Sequence, residues 1–165
     1  MTRARAVIGL MDVLSFPVDS TPCLEPLRKY LDHKSVVTAL GNPEILNAKL
    51  LALFCSVKCP GKLILETYDL AQQLKQEGVA VIGGFHSPME RECLEILLRG
   101  TAPLVVCPAR SVAKMRVRPE LREPLANGRL LFLSPFNDKK RRATKETATT
   151  RNRFVAALAD AVFRA

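Results

Sequence analysis

The sequence predicts an α/β fold, a Rossmann-like open, mostly parallel sheet with helices on both faces. Three observations predict it: short uninterrupted apolar runs, segments of helical period between them, and Gly or Pro at the joints. Uninterrupted runs mark strands buried on both faces, the condition that parallel sheets meet and half-exposed antiparallel sheets do not.

Residues 7–20 and 23–31 form a lead-in punctuated by Pro17, Pro22 and Pro26, with Pro22 suiting a turn and Pro26 a first helical turn. A β-like run at 35–40 ends at Gly41-Asn42-Pro43, a turn signal. Residues 50–55 (LLALFC) read as a buried strand. Residues 61–76 carry Leu63, Ile64, Thr67, Leu70, Ala71 and Leu74 at helical spacing, with Gly78 as C-cap. A second strand at 79–82 leads to a helix at 88–99 whose inward face is Met89, Cys93, Leu94, Ile96 and Leu97. A strand at 104–107, a short helix at 119–126, a strand at 130–133, a helix at 144–159 and a closing strand at 161–164 complete the pattern. The whole is one domain over residues 1–165, with 1–40 as preamble and 41–165 as core.

Composition narrows the class. Hydrophobic residues are 48% and charged residues 25% of 165, which excludes a disordered tail, a collagen repeat and a coiled coil. The apolar runs fall well short of the roughly 18 residues of a membrane span. The N-terminal apolar stretch 6–11 is too short for a secretory signal. Five scattered cysteines, an odd number, read as reduced buried thiols in a cytoplasmic protein. Cys55 and Cys59 lack a second pair at zinc spacing, and His33 and His86 stand alone, so no metal is expected. There is neither a dinucleotide fingerprint nor a P-loop, and no cofactor is expected. No nucleophile elbow, His/Cys pair or carboxylate cluster supplies a catalytic set.

Charge is the stronger clue. The net charge is +9, and it is concentrated: Lys139, Lys140, Arg141, Arg142, Lys145, Arg151 and Arg153 face a single acid, Glu146, between positions 139 and 153. Such a segment is the footprint of a phosphate-binding surface. In open α/β sheets ligands bind beyond the carboxyl ends of the strands, so the loops leaving them matter most. The first offers Ser56, Lys58, Gly61 and Lys62 before a helix start, a set that can cradle a phosphate. The second offers Gly83, Gly84, His86 and Ser87, where paired glycines permit close approach and positive φ, and Ser87 suits a helix N-cap. The third offers Arg110, and Asn152 lies between the two arginines of the last helix. Aromatics are sparse, with seven Phe, two Tyr and no Trp, leaving Phe85 and Phe136 as candidate stacking platforms whose default reading is core packing.

The Gly41-Asn42-Pro43-Glu44-Ile45-Leu46 lead-in, strands running into Cys55-Ser56, Gly83-Gly84 and Cys107-Pro108, and Arg151-Asn152-Arg153 before a small-residue helix together resemble the DprA (Smf) family of bacterial DNA-processing proteins. The resemblance covers roughly residues 40–165. The family's first loop usually reads Gly-Ser-Arg; here it is Cys55-Ser56-Val57, with Lys58 nearby. The resemblance implies single-stranded DNA binding in a basic pocket at the carboxyl edge, dimerisation, and handover to a RecA-type recombinase. It also implies a divergent, stand-alone member without the extra N-terminal helical and C-terminal winged-helix domains. Two other readings are open: a sensor of a small nucleotide-derived ligand, and a LOG-type phosphoribohydrolase, whose Pro-Gly-Gly-x-Gly-Thr-x-x-Glu segment is missing here.

Overall fold

The computed structural model describes residues 12–32 and 35–165; the expectations placed on residues 6–11 and on His33 lie outside them. The strands are β1 (Val13–Pro17), β2 (Val36–Gly41), β3 (Leu50–Phe54), β4 (Ala80–Gly83), β5 (Leu104–Val106), β6 (Leu130–Ser134) and β7 (Ala161–Arg164). The α-helices are α1 (Gly61–Glu77), α2 (Pro88–Leu98), α3 (Pro119–Ala126) and α4 (Lys145–Leu158), with 3-10 helices at Pro22–Lys29 and Pro43–Asn47.

The strands form one sheet in the order β1-β2-β6-β5-β4-β3-β7. From β6 to β7 all neighbours are parallel, whereas β1 on β2 and β2 on β6 are antiparallel. The mostly parallel expectation holds. Strand β2 answers to the β-like run expected at 35–40, β1 comes from the residues read as a lead-in, and together they cover an edge that β6 would otherwise leave open.

The apolar runs do what their composition requires: every residue of β4, β5 and β6 is buried. On one face α1, α2 and α3 contribute Leu74, Cys93, Leu97, Leu121 and Leu125 to the core. On the other, α4 contributes Phe154, Val155 and Leu158, packed with Leu24, Leu27 and Ile45 of the 3-10 helices. Pro22 opens its 3-10 helix instead of forming a turn, and Pro26 lies inside it. Likewise Gly41 ends β2, and Asn42 caps the next 3-10 helix by accepting from the Glu44 N–H.

Helix ends are well satisfied. Gly78 closes α1 in the left-handed conformation at φ 70°. Ser87 and Glu90 form a capping box on α2, and Thr144 with Thr147 does the same for α4. Beyond α2, the Arg129 guanidinium donates to the carbonyls of Leu97, Leu98 and Ala102 at 2.6, 3.1 and 2.8 Å. A cation there adds a donor at the carboxyl end of α2 and complements the helix dipole, while burial lowers the arginine's pKa.

Because Leu27 is fully buried against α4, the first 3-10 helix is part of the core. Leu27→Ala is expected to cost about 2–5 kcal/mol in urea unfolding; an unchanged midpoint would show that this helix is an ornament on the sheet.

Candidate nucleic-acid interface

The connection leaving β5 runs to α3 on one face, and the connection leaving β6 runs to α4 on the other. Adjacent strands whose exits part in this way open a crevice at their carboxyl ends, the usual ligand position in such sheets. Two clefts occupy it. One, of about 410 Å³, lies between the β5 exit at Pro108, Ala109 and Arg110 and the start of α4 at Thr144 and Lys145. The other, of about 380 Å³, continues it past His86 and Arg110 to Arg91, Arg116 and Arg118. Gly84, His86, Pro108 and Arg110 line both, so the two form one groove. Its floor is apolar, with Leu94, Val106, Leu121 and Phe132 from the core.

Neither wall carries a carboxylate. Arg118 pairs with Glu120 at 3.1 Å outside the lining. Among the described residues Arg91, Arg110 and Arg116 have no ion-pair partner, and all three are exposed. Like charges gathered without counter-charge repel one another, and an anion relieves the repulsion. The α4 N-terminus adds the positive end of its dipole beside Lys145.

Beneath the groove two buried charges hold the loops. Glu90 is 7% exposed, and its carboxylate accepts from the backbone N–H of Cys55 at 2.9 Å, His86 at 2.8 Å and Ser87 at 3.2 Å. One side chain thus fastens the β3 exit to the β4 exit. Arg151 is 5% exposed; it donates to the Cys107 carbonyl at 3.1 Å and to the Asn152 side chain at 2.7 Å. Its guanidinium crowds the place a Cβ on residue 84 would take, so a side chain there would have to displace Arg151. Burial lowers the Arg151 pKa, and the charges of Cys107 and Glu90 oppose that shift.

The structure sorts the sequence-predicted residues. Gly83 is the buried end of β4 and lines neither cleft, whereas Gly84, His86, Arg110 and Arg151 meet at the groove, with Lys145 also in its lining. Arg151 does so as a buried wall instead of an exposed phosphate ligand. Ser87 is buried and its hydroxyl is taken by the helix cap. Gly83 and Gly84 serve close approach, to Leu53 and Arg151 respectively, whereas the positive φ of this turn falls on Phe85, at 48°. Ser56, Asn152 and Arg153 line a separate cleft of about 460 Å³ at the carboxyl ends of β3 and β7. Lys58 and Lys62 are exposed beyond all three clefts, with Lys62 3.9 Å from Glu66, and nothing crowds Gly61. Lys139, Lys140, Arg141 and Arg142 are exposed on the β6–α4 loop, whose Lys140 carbonyl accepts from the Ser111 N–H at 2.7 Å. Arg91, Arg116 and Arg118 escape sequence reasoning: they come from α2 and an irregular loop, and only the arginine density at 116–122, with Arg116, Arg118 and Arg122, signals the latter two.

A protein-family model for DNA recombination-mediator protein A matches residues 16–164. The chain belongs to this family. It is the family that the glycine, serine and Arg-Asn-Arg motifs resemble, and its role is DNA processing. Curated protein sequences contain no match. Among solved structures, DNA processing protein A of Helicobacter pylori, described for its single-stranded DNA binding mode, is similar at TM-score 0.68 and 18% identity over 93% of this chain and 69% of that one. DNA processing protein A (DprA) of Streptococcus pneumoniae is similar at TM-score 0.71 and 16% identity over 94% of this chain. This chain spans 54% of that protein's length, so it matches about half of it. At such identities the likeness is one of fold.

The thiols stand apart from the groove's chemistry. Complete burial pushes Cys107 up to about 12, and contact with Cys93, with burial, raises Cys55. A raised pKa keeps a thiol protonated and unreactive at neutral pH. Iodoacetamide at pH 8 is therefore expected to modify Cys59 in the native protein and to spare Cys55 and Cys107, as read by mass spectrometry; rapid Cys107 labelling would contradict this burial. For Glu90→Gln, loss of charge-assisted bonds should cost about 1.5–3 kcal/mol in denaturant unfolding, and an unaltered midpoint would remove Glu90 from its fastening role.

Proposed function

We propose that this recombination-mediator protein A binds single-stranded DNA along the carboxyl-edge groove, with phosphates on Arg116, Arg91, His86, Arg110 and Lys145 and at the α4 N-terminus. The observation that carries the reading is the convergence of unpaired guanidinium groups on a crevice whose walls hold no carboxylate. Each cleft has the size of a small-molecule site, which suits one or two nucleotides at a time and not a duplex. The apolar floor favours bases turned inward, and the exposed Lys139–Arg142 run extends the positive field beyond the groove. The Helicobacter pylori protein's single-strand binding supports the same ligand. Held this way, a strand is presented in the cytoplasm for transfer to a RecA-type recombinase, and a homodimer doubles the length of strand engaged. The protein acts by binding, with no chemical step of its own.

A small nucleotide is the competing ligand, because either cleft alone has room for one. Fluorescence anisotropy of a labelled oligonucleotide, across a salt series and with duplex and mononucleotide competitors, separates the two. Affinity should fall with salt by about 0.7 log units per log salt for each phosphate neutralised. Arg110→Ala is expected to weaken binding for every sequence and to reduce that slope by roughly 0.7. Absence of single-strand binding at low salt, or full competition by mononucleotide, would overturn the DNA reading.

A further inference from the structure

Stacking a nucleobase requires an exposed ring, and the two candidate phenylalanines follow their default reading as core residues: Phe85 is 5% and Phe136 9% exposed. The strongly exposed aromatic ring among the described residues is Tyr30, at 63%. It ends the Pro22–Lys29 helix as its C-cap residue, and its hydroxyl has no hydrogen-bond partner among the described residues. The ring stands over a cleft of about 270 Å³ floored by Leu27, Leu31 and Phe154 and flanked by Thr150 and Arg153 of α4. No carboxylate lines it.

Arg153 connects this cleft to the carboxyl edge. It is exposed and makes no ion pair or side-chain hydrogen bond among the described residues, and it also lines the cleft of Ser56 and Asn152. Along α4, eight residues separate it from Lys145 at the groove, about 12 Å at helical rise. A polar strand leaving the groove thus meets another cation beside an open ring, the combination of phosphate neutralisation and stacking that single-strand binding surfaces use.

We propose that this cleft is a nucleobase subsite: one base of the bound strand stacks on Tyr30 while an adjoining phosphate sits on Arg153. The proposal rests on the strand-binding reading above and lengthens its path around α4. It selects single strands over duplex, because a paired base has no free face to give Tyr30.

The chain has no tryptophan and two tyrosines, so Tyr68→Phe leaves Tyr30 as the sole fluorescent reporter. On saturation with oligonucleotide its emission should be quenched. Tyr30→Ala should weaken oligonucleotide binding at least about fivefold, Tyr30→Phe should retain affinity, and the alanine effect should vanish on a strand of abasic sites. The Tyr30 variants should melt with their parent, given the exposure of the ring. If Arg110→Ala weakens binding while Tyr30→Ala does not and the Tyr30 emission is unchanged, the subsite falls and the groove stands. An equal loss on normal and abasic strands also overturns stacking. If the parent protein binds no single strand, both readings fail together.

Discussion

The Glu90 carboxylate is the interaction on which the candidate interface depends. A buried charge is costly unless its hydrogen-bonding capacity is met, and three backbone N–H groups meet it here. Because those groups belong to the exits of two different strands, one side chain fixes the relative position of both loops. Arg151 is the complementary device from the opposite layer, reaching over Gly84 to the carbonyl that ends β5. One buried acid and one buried base thereby set three exit loops. The division of labour is clear: buried charges hold the backbone, and exposed charges remain available to a ligand.

Much of the fold is legible because hydrophobic periodicity is local. The bounds of α3 and β7 follow from the sequence, and the Ser87 cap follows from Ser-Pro-x-Glu chemistry at a helix start. The site is less legible for a physical reason. Arg91 belongs to a helix and Arg116 to a loop without pattern, and only tertiary packing brings them to one crevice. Arg151 could have been read as inward-facing, since Thr147, Arg151, Phe154, Val155 and Leu158 share one face of α4; charge alone argued for the surface. The Gly83-Gly84 pair drew the expectation of positive φ, yet Phe85 takes it, because its buried ring repays a conformation that a bulky residue rarely adopts.

The comparison with the family motif gains meaning from this geometry. Where the resemblance led to the expectation of Gly-Ser-Arg, this chain has Cys55-Ser56-Val57, and Val57 is 78% exposed. Lys58, the nearby cation, lies outside the clefts. The guanidinium groups of the groove come from the β5–α3 loop and from α2. The sheet constrains where the crevice is, and in this chain the β5–α3 loop and α2 supply the guanidinium groups that charge it.

The sheet order also carries a kinetic consequence. β2 pairs with β6 through Thr38 and Ser134, and β3 pairs with β7 through Leu51 and Ala161. Pairings so remote along the chain must meet a large loop-closure cost before any contact repays it, which slows folding. The β3–β6 segment with α1, α2 and α3 is built from nearer neighbours and can assemble while those pairings are still open. The cleft between the β5 exit and α4 cannot, because its second wall is the start of α4, which follows six of the seven strands. A partly folded chain would therefore hold four strands of its sheet and a groove open on one side, whose α4 wall waits on the last long-range docking step.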